Sequence, residues 1–166
     1  MVMIPPDIIP FNGRFEGQTH YFACRVYFED TDFSGIVYHA NYLRYMERAR
    51  SDMLRCLAVD QRGTHDAGGG VFAVADMHLR FVRPAKMDDD LVVMSQITRL
   101  RAAACIIHQR VIRRGQSVTD SIETLLEADV TAAFINPEGR PIRQPRAWVD
   151  AFSAILDPDQ KDRPRL

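Results

Sequence analysis

Cysteine is scarce in this sequence of 166 residues, and the few cysteines show no spacing that is typical of a metal site or a disulfide framework. They are odd in number, lie far apart and form no C-x-x-C: Cys24, Cys56 and Cys105. We expect Cys24 and Cys105 to be small buried hydrophobic residues, because both lie in strand-like runs. The histidines His65, His78 and His108 are equally scattered, so the sequence predicts no metal site.

Long apolar runs and net charge are also missing. No apolar run approaches the roughly 20 residues of a membrane-spanning helix. The apolar N-terminal residues 1–13 are interrupted by prolines and lack a basic start, which argues against a secretory signal. The formal net charge of −1 gives no general attraction to nucleic acid or anionic membranes. We therefore expect a cytoplasmic protein with no nucleic-acid partner and no membrane insertion.

Several catalytic motifs are absent from the sequence. It contains no G-x-S-x-G, no H-E-x-x-H, no P-loop and no G-x-G-x-x-G. A serine nucleophile, a zincin-type metal site and a dinucleotide fingerprint are therefore not predicted. A hydrolase with this sequence needs other groups, and a carboxylate at a helix N-terminus suffices chemically.

What the sequence does contain is a distinctive stretch from Val26 to Tyr42, which leads directly into a predicted helix. The stretch reads as a strand end, an acidic loop and a helix start. An apolar stripe then recurs at helical spacing, which predicts a helix with one buried face that ends near Leu57 or Ala58. The stripe consists of Tyr42, Met46, Ala49, Met53 and Leu57.

Two features of the acidic loop bear on chemistry. Asp30 and Asp32 stand just before the helix start, where unpaired amide groups and the positive end of the helix dipole favour negative charge. Gly35 permits backbone geometry that a side chain would resist. Pattern alone leaves two roles open for the carboxylates: a helix cap, or a catalytic group that faces an oxyanion site made from the same N–H groups. The pattern favours the cap.

The sequence motif from Val26 to Arg50 is V-Y-F-E-D-T-D-x-x-G-I-V-Y-H-x-N-Y-x-x-Y-x-E-x-A-R. It resembles the signature of the 4-hydroxybenzoyl-CoA thioesterase family, and it looks closest to the acyl-CoA thioesterases associated with the bacterial Tol–Pal system. The resemblance implies an α+β hotdog fold, in which an antiparallel sheet wraps around one long helix. It also implies that a homodimer or homotetramer hydrolyses acyl-CoA to free acid and CoA without a cofactor.

The resemblance also assigns two catalytic residues. It places the catalytic carboxylate at Asp32, which either attacks the thioester carbonyl or activates water, and it leaves Asp30 with a structural role. The backbone N–H of His39 falls where family members polarise the thioester oxygen. The His39 imidazole is expected either to position water or substrate or to bond the loop.

Further residues are candidates for substrate binding. Gly35 shapes the loop, and Asn41 is expected to form a hydrogen bond within the loop or near the site. Tyr27 and Tyr38 flank the loop, where core packing is the favoured role, although Tyr27 is well placed to bound the acyl site. Glu47 is a second carboxylate on the helix, for which we favour an ion pair with Arg50 over catalysis.

Residues 83–90, which we call the basic turn, carry Arg83 and Lys86 beside Pro84. A surface turn is often basic, but CoA carries phosphates that need such charges. In the resembling family this turn lies near the nucleotide end of CoA. We therefore expect Arg83 and Lys86 to bind CoA.

The order of elements predicts one hotdog domain at residues 19–156, after an irregular lead-in at residues 1–18 and before a polar tail at residues 157–166. Strands are expected at residues 20–28, 71–82, 91–99, 102–113 and 117–134, a loop at 61–70 and a C-terminal helix at 145–156. In the second strand, strict alternation places Phe72 and Val74 on one face and Met77, Leu79 and Phe81 on the opposite face. One face of that strand is expected to meet the core.

Rival functions remain at this point. A non-catalytic protein that binds acyl-CoA or acyl carrier protein would keep the fold and the basic turn without needing Asp32. A hotdog hydratase or dehydratase would use a histidine in a different motif, which is absent. Acyl carrier protein also remains open as the carrier of the substrate.

Overall fold

The computed structural model describes residues 12–115 and 122–156, which form an antiparallel sheet curled around one long helix. The sheet order is β1-β2-β4-β5-β6-β3, and every neighbouring pair is antiparallel. The strands are β1 (Arg14–Glu16), β2 (Thr19–Arg25), β3 (Val71–Phe81), β4 (Asp90–Arg101), β5 (Ala104–Arg113) and β6 (Glu123–Ile135). The α-helices are α1 (His39–Cys56), α2 (Gln61–Asp66) and α3 (Arg146–Ala154). This arrangement confirms the α+β hotdog fold.

The helix α1 supplies the centre of the core. The stripe residues Tyr42, Met46, Ala49 and Met53 are all buried, as the helical spacing predicts. They pack against alternate residues of the central strands, because successive side chains of a strand point to opposite faces. The first turn of α1 therefore has a fixed position over the sheet.

Strand β3 differs from strict alternation. Its register with β6 shifts between Val74 and Asp76, so that Ala75 has no partner there. Phe72, Val74 and Met77 pair with Phe134, Ala132 and Val130, which share one face of β6. The predicted separation of Phe72 and Val74 from Met77 is therefore wrong, because a bulge reverses the pattern.

The expected burial of β3 is also wrong in part. β3 lies at the edge of the sheet, where Val74 is 47% exposed and Phe81 is 50% exposed. Only the part of this strand near Phe72 and Met77 packs against the core clusters. A long edge strand with exposed apolar side chains is left without a cover within the described residues.

Other boundaries also differ from expectation. Residues 14–16 of the predicted lead-in form β1, which pairs with β2. Residues 61–66 of the predicted loop form α2, because the Asp60 carboxylate accepts the Gly63 N–H at 2.8 Å and caps the helix. The first predicted strand ends at Arg25, since Phe28–Asp30 turns into a short 3₁₀ helix.

Three predicted segments lie partly or wholly outside the described residues. They are residues 1–11 of the lead-in, residues 117–121 of the last predicted strand and the tail at 157–166. The predicted C-terminal helix is present as α3, and its Trp148 and Phe152 pack on Phe72 of the sheet. Among the described residues, no helix is both long and apolar enough to cross a membrane.

Candidate active site

Both ends of the acidic loop are anchored to the basic turn by backbone hydrogen bonds. The Val26 N–H donates to Asp89 O at 3.0 Å, and Val26 O accepts the Asp88 N–H at 3.0 Å. At the other end, the Val37 N–H donates to Ala85 O at 2.8 Å. The loop that carries Asp32 and the turn that carries Arg83 and Lys86 therefore lie side by side.

Asp30 is buried and bonds the loop. Its carboxylate accepts the Tyr27 N–H at 2.8 Å, which closes the short 3₁₀ helix. Its carbonyl oxygen accepts the Tyr38 N–H and the Asn41 side-chain amide, each at 2.9 Å. The expected structural role of Asp30 and the loop bond of Asn41 are confirmed. A contact of Asn41 with substrate stays a prediction.

Asp32 lies two residues further on and is exposed. Its Oδ1 accepts the Ser34 N–H at 2.8 Å and also the Ser34 hydroxyl. The backbone closes a tight turn, in which the Gly35 N–H donates to Asp32 O at 3.0 Å. Gly35 has φ of 76°, a conformation that side chains disfavour. The turn therefore holds the Asp32 carboxylate at the surface in one orientation.

Ser34 also sets the charge of Asp32. The hydroxyl and amide bonds from Ser34, followed by the electrostatic effect of the nearby His39, hold the pKa of the Asp32 carboxyl below its usual range. Asp32 is therefore ionised at neutral pH. In that form it is able to attack a carbonyl carbon or to accept a proton from water.

The first turn of α1 is not capped by a side chain. Tyr38 occupies the N-cap position, and among the described residues neither the Asp30 nor the Asp32 carboxylate accepts a backbone N–H of this helix. The helix-cap role that the pattern favours for the two carboxylates is therefore wrong for α1. Within the described residues, the His39 N–H has no hydrogen-bond acceptor, so it remains available as a donor.

Aromatic rings surround the His39 imidazole. The ring centroid of Tyr38 lies 4.4 Å from that of His39, and the ring of Phe81 approaches edge-on at 6.4 Å. Tyr38 is 46% exposed and Tyr27 is 61% exposed, so the core packing that was favoured for both is wrong within this chain. Both rings are exposed at residues that flank the loop in sequence.

The basic turn carries one paired and one unpaired cation. Arg83 Nε lies 3.1 Å from Glu123 Oε1, and Glu123 also binds the guanidinium of Arg113. Among the described residues, the Lys86 ammonium has no carboxylate partner, while its backbone N–H donates to Asp89 Oδ2 at 2.8 Å. Lys86 is therefore the cation of this turn that is free to meet an anionic ligand.

The expected pair between Glu47 and Arg50 is confirmed. Arg50 is buried, and its guanidinium binds both the Glu47 carboxylate and Gln109 Oε1. Glu47 therefore neutralises a buried cation. Removing it would leave that charge without its carboxylate partner.

Sequence reasoning missed three residues that shape the site. Ser34 carries a local signal, since a serine two residues after an aspartate often bonds its side chain in a turn. Tyr42 and Phe81 carry no such signal. Tyr42 accepts the Ala85 N–H at 2.8 Å through its hydroxyl, and the Phe81 ring meets Tyr42 at 5.8 Å only after the sheet has formed.

A model of the thioesterase-like superfamily matches residues 26–156, which is most of the chain. The chain belongs to the thioesterase-like superfamily. The match begins at Val26, the first residue of the stretch that carries the resemblance, and it ends beyond α3.

Individual thioesterases agree with this assignment. Acyl-CoA thioester hydrolase YbgC of Escherichia coli O6:H1 is 34% identical over 129 residues, which cover 77% of this chain and 91% of that protein. The crystal structure of a probable thioesterase from Bartonella henselae is 38% identical, with a TM-score of 0.68, and covers 76% of this chain and 99% of that one.

A more distant solved structure supports the fold alone. The 4-hydroxybenzoyl CoA thioesterase from Pseudomonas sp. strain CBS-3 is 22% identical, with a TM-score of 0.70. The match covers 80% of this chain and 98% of that one. The superfamily, the fold and the thioesterase class are thereby shown, while the roles of single residues rest on the geometry of this chain.

Proposed function

We propose that this thioesterase hydrolyses acyl-CoA to the free acid and CoA, with Asp32 as the catalytic carboxylate. The observation that carries the proposal is an exposed, ionised Asp32 close to an uncapped helix start with a free His39 N–H. The identity with YbgC, which is named an acyl-CoA thioester hydrolase, supports the substrate class.

The chemistry follows from these two groups. The thioester oxygen accepts the His39 N–H, and the positive end of the α1 dipole stabilises the negative charge that develops on that oxygen. Asp32 then either attacks the carbonyl carbon, giving a mixed anhydride that water cleaves, or takes a proton from an attacking water. In both routes the C–S bond breaks, the thiolate of CoA leaves and takes up a proton, and the carbonyl carbon becomes that of the acid.

The basic turn is our proposed contact for the nucleotide end of CoA. Lys86 is the stronger candidate, because Arg83 already shares Glu123 with Arg113. The exposed rings of Tyr27 and Tyr38 are proposed to border the acyl group, and Gly35 and Asn41 to hold the loop that faces it. Acyl carrier protein presents the same thioester without the nucleotide and is the alternative carrier.

The decisive experiment compares three variants on a panel of short, long and aromatic acyl-CoAs and on acyl-carrier-protein thioesters, with release of free thiol as the readout. We expect Asp32→Asn to lower kcat by about 10²–10⁴-fold, because a positioned general base contributes that much and a nucleophile more. Acyl-CoA binding should survive, since the amide removes a negative charge near an anionic ligand.

Two variants serve as controls for this loop. Glu29→Gln removes an exposed carboxylate three residues before Asp32, with no partner among the described residues, and should leave kcat unchanged. Asp30→Asn should mainly lower stability, because it weakens the acceptor of the Tyr27 N–H. Full activity in Asp32→Asn would refute the mechanism. If the wild-type chain binds acyl-CoA but does not hydrolyse it, the non-catalytic alternative is supported.

A further inference from the structure

A second group of chemically active side chains lies at the other end of α1. His20 of β2 and Asp52 of α1 are buried, and His20 Nε2 lies 2.9 Å from Asp52 Oδ2. Cys56, the last residue of α1, places its Sγ 3.9 Å from His20 Nε2 and 3.8 Å from Asp52 Oδ2. Along the helix this group is about 25 Å from His39, at 1.5 Å per residue, so it is separate from the proposed active site.

The spacing of the three donor atoms is close to that of a metal site. Zinc in a tetrahedral site has bonds of about 2.0–2.1 Å to nitrogen or oxygen and about 2.3 Å to sulfur, which places the donors roughly 3.3–3.7 Å from one another. The observed separations of 2.9, 3.8 and 3.9 Å differ from that range by a few tenths of an ångström. Small side-chain rotations would therefore bring all three atoms to one ion.

We propose that His20 Nε2, Asp52 Oδ2 and Cys56 Sγ bind a zinc ion. Imidazole, carboxylate and thiolate are the ligand types that zinc takes in proteins, and the two anionic ligands balance its charge. Binding releases the Cys56 thiol proton to solvent and leaves the His20 ring neutral, with its remaining proton on Nδ1. Cys56 is exposed, which provides the ion with a path of entry.

A fourth ligand is available on the same side. The carbonyl oxygen of Gly13 lies 3.7 Å from Cys56 Sγ, and the Gly13 N–H donates to Asp52 Oδ2 at 2.8 Å. On its other oxygen, Asp52 meets the Arg55 guanidinium at 3.2 Å, which fixes the carboxylate. Either the Gly13 carbonyl or a water completes the tetrahedron, and the ion would then join the residues before β1 to β2 and α1.

The same three residue types also occur in nucleophilic triads, but the geometry here is different. In a Cys–His–Asp triad, the thiol and the carboxylate meet opposite nitrogens of the imidazole, so that one takes the proton while the other orients the ring. In this chain Asp52 Oδ2 and Cys56 Sγ both approach Nε2 of His20. Donors that converge on one point suit an ion and do not suit proton relay.

The test uses the full chain, stripped of metal and titrated with Co²⁺ and then Zn²⁺. We expect one Co²⁺ per chain, with a thiolate-to-cobalt charge-transfer band in the near ultraviolet and the visible bands of four-coordinate cobalt, which Zn²⁺ displaces. Cys56→Ser should abolish the charge-transfer band. It should also weaken Zn²⁺ binding by at least about 100-fold in competition with a chromophoric chelator, because even changes outside the ligand shell cost 10–100-fold.

A matched control is Cys24→Ser, which removes a thiol that lies outside this group and should leave both measurements unchanged. Cys56 is exposed, so its serine variant is expected to fold, and circular dichroism checks this. The proposal is overturned if no Co²⁺ or Zn²⁺ binds at micromolar concentration, or if Cys56→Ser binds as the wild-type chain does. Thioester hydrolysis is not part of the readout, so this result is independent of the proposed function.

Discussion

Asp30 and Asp32 are the same residue type, two positions apart, and yet they have opposite environments. A backbone bridge between Thr31 and Val37 separates them. Before the bridge, Asp30 is buried and accepts a loop amide, whereas after it Asp32 stands at the surface with Ser34 as its partner. The different environments of the two carboxylates therefore arise from the path of the loop and not from the residue type.

The Ser34 hydroxyl provides a test of the charge on Asp32. We expect Ser34→Ala to raise the pKa of Asp32, because it removes the hydrogen bond that contributes most to lowering that pKa. If Asp32 is the catalytic carboxylate, as proposed, activity is lost as pH falls through its pKa, because only the ionised form attacks the carbonyl carbon or accepts a proton. The acid limb of the kcat/KM profile for hydrolysis should therefore move to higher pH in the variant.

Thr31→Val is the matched control for this measurement. It also removes a loop hydroxyl, but Thr31 Oγ1 donates to Phe28 O and not to Asp32. Its acid limb should stay where the wild-type chain has it. If the acid limb of Ser34→Ala does not move, ionisation of Asp32 does not set the fall of kcat/KM at low pH.

At the scale of elements, one buried residue joins helix α1 to the basic turn. The Ala85 N–H donates to the Tyr42 hydroxyl at 2.8 Å, and Ala85 O accepts the Val37 N–H at 2.8 Å. Ala85 is fully buried, so both bonds are shielded from water. These bonds consequently tie the helix start, the acidic loop and the basic turn into one hydrogen-bonded unit.

We expect Tyr42→Phe to loosen this unit. The variant keeps the ring but leaves the buried Ala85 N–H without an acceptor, which costs about 1–3 kcal/mol of the free energy of unfolding. If the basic turn binds the nucleotide of CoA, KM for acyl-CoA should rise while kcat is largely kept. Denaturant unfolding and steady-state kinetics measure the two effects.

A raised KM reflects either a lost contact between the basic turn and the nucleotide or a general disturbance of the site. A thioester that lacks the nucleotide separates these two causes. Its KM should change little in Tyr42→Phe, because it does not reach the basic turn. Tyr21→Phe, on a different strand, removes a tyrosine hydroxyl with no partner among the described residues and should alter neither stability nor KM. Equal changes in KM for the two thioesters would show that the turn does not bind the nucleotide of CoA.

At the scale of the whole molecule, the two edges of the sheet are very different. β1 has only 3 residues, whereas β3 has 11 and exposes Val74 and Phe81. A long edge strand with apolar side chains pairs readily with another chain. We propose that two copies pair through β3 and form a homodimer, which the resemblance also implies, with a homotetramer as the alternative.

Sedimentation at micromolar concentration should therefore give a dimer or a tetramer. We expect Leu79→Lys to shift the chain towards the monomer, because Leu79 is exposed on β3 and a charge there opposes burial in an interface. Tyr21→Lys, on β2 and therefore far from the β3 edge, should leave the sedimentation coefficient unchanged. A well-folded wild-type monomer would contradict the proposed pairing.

The sequence by itself determined the parts that depend on neighbours in the chain. The period of the apolar residues from Tyr42 to Met53 predicts α1 and its buried face, and the wording around Asp32 and Gly35 indicates the loop and the family. These features follow from helical geometry and from the backbone freedom of glycine, which act over a few residues.

Only the tertiary structure decided which distant residues meet. The bulge at Ala75, which reverses the faces of β3, depends on its pairing with β6. The contact between Phe81 and His39, and the approach of His20 to Cys56, each join a strand to a helix that lies far away in the sequence. Their physical reason is the packing of α1 against a curved sheet, which no local pattern records.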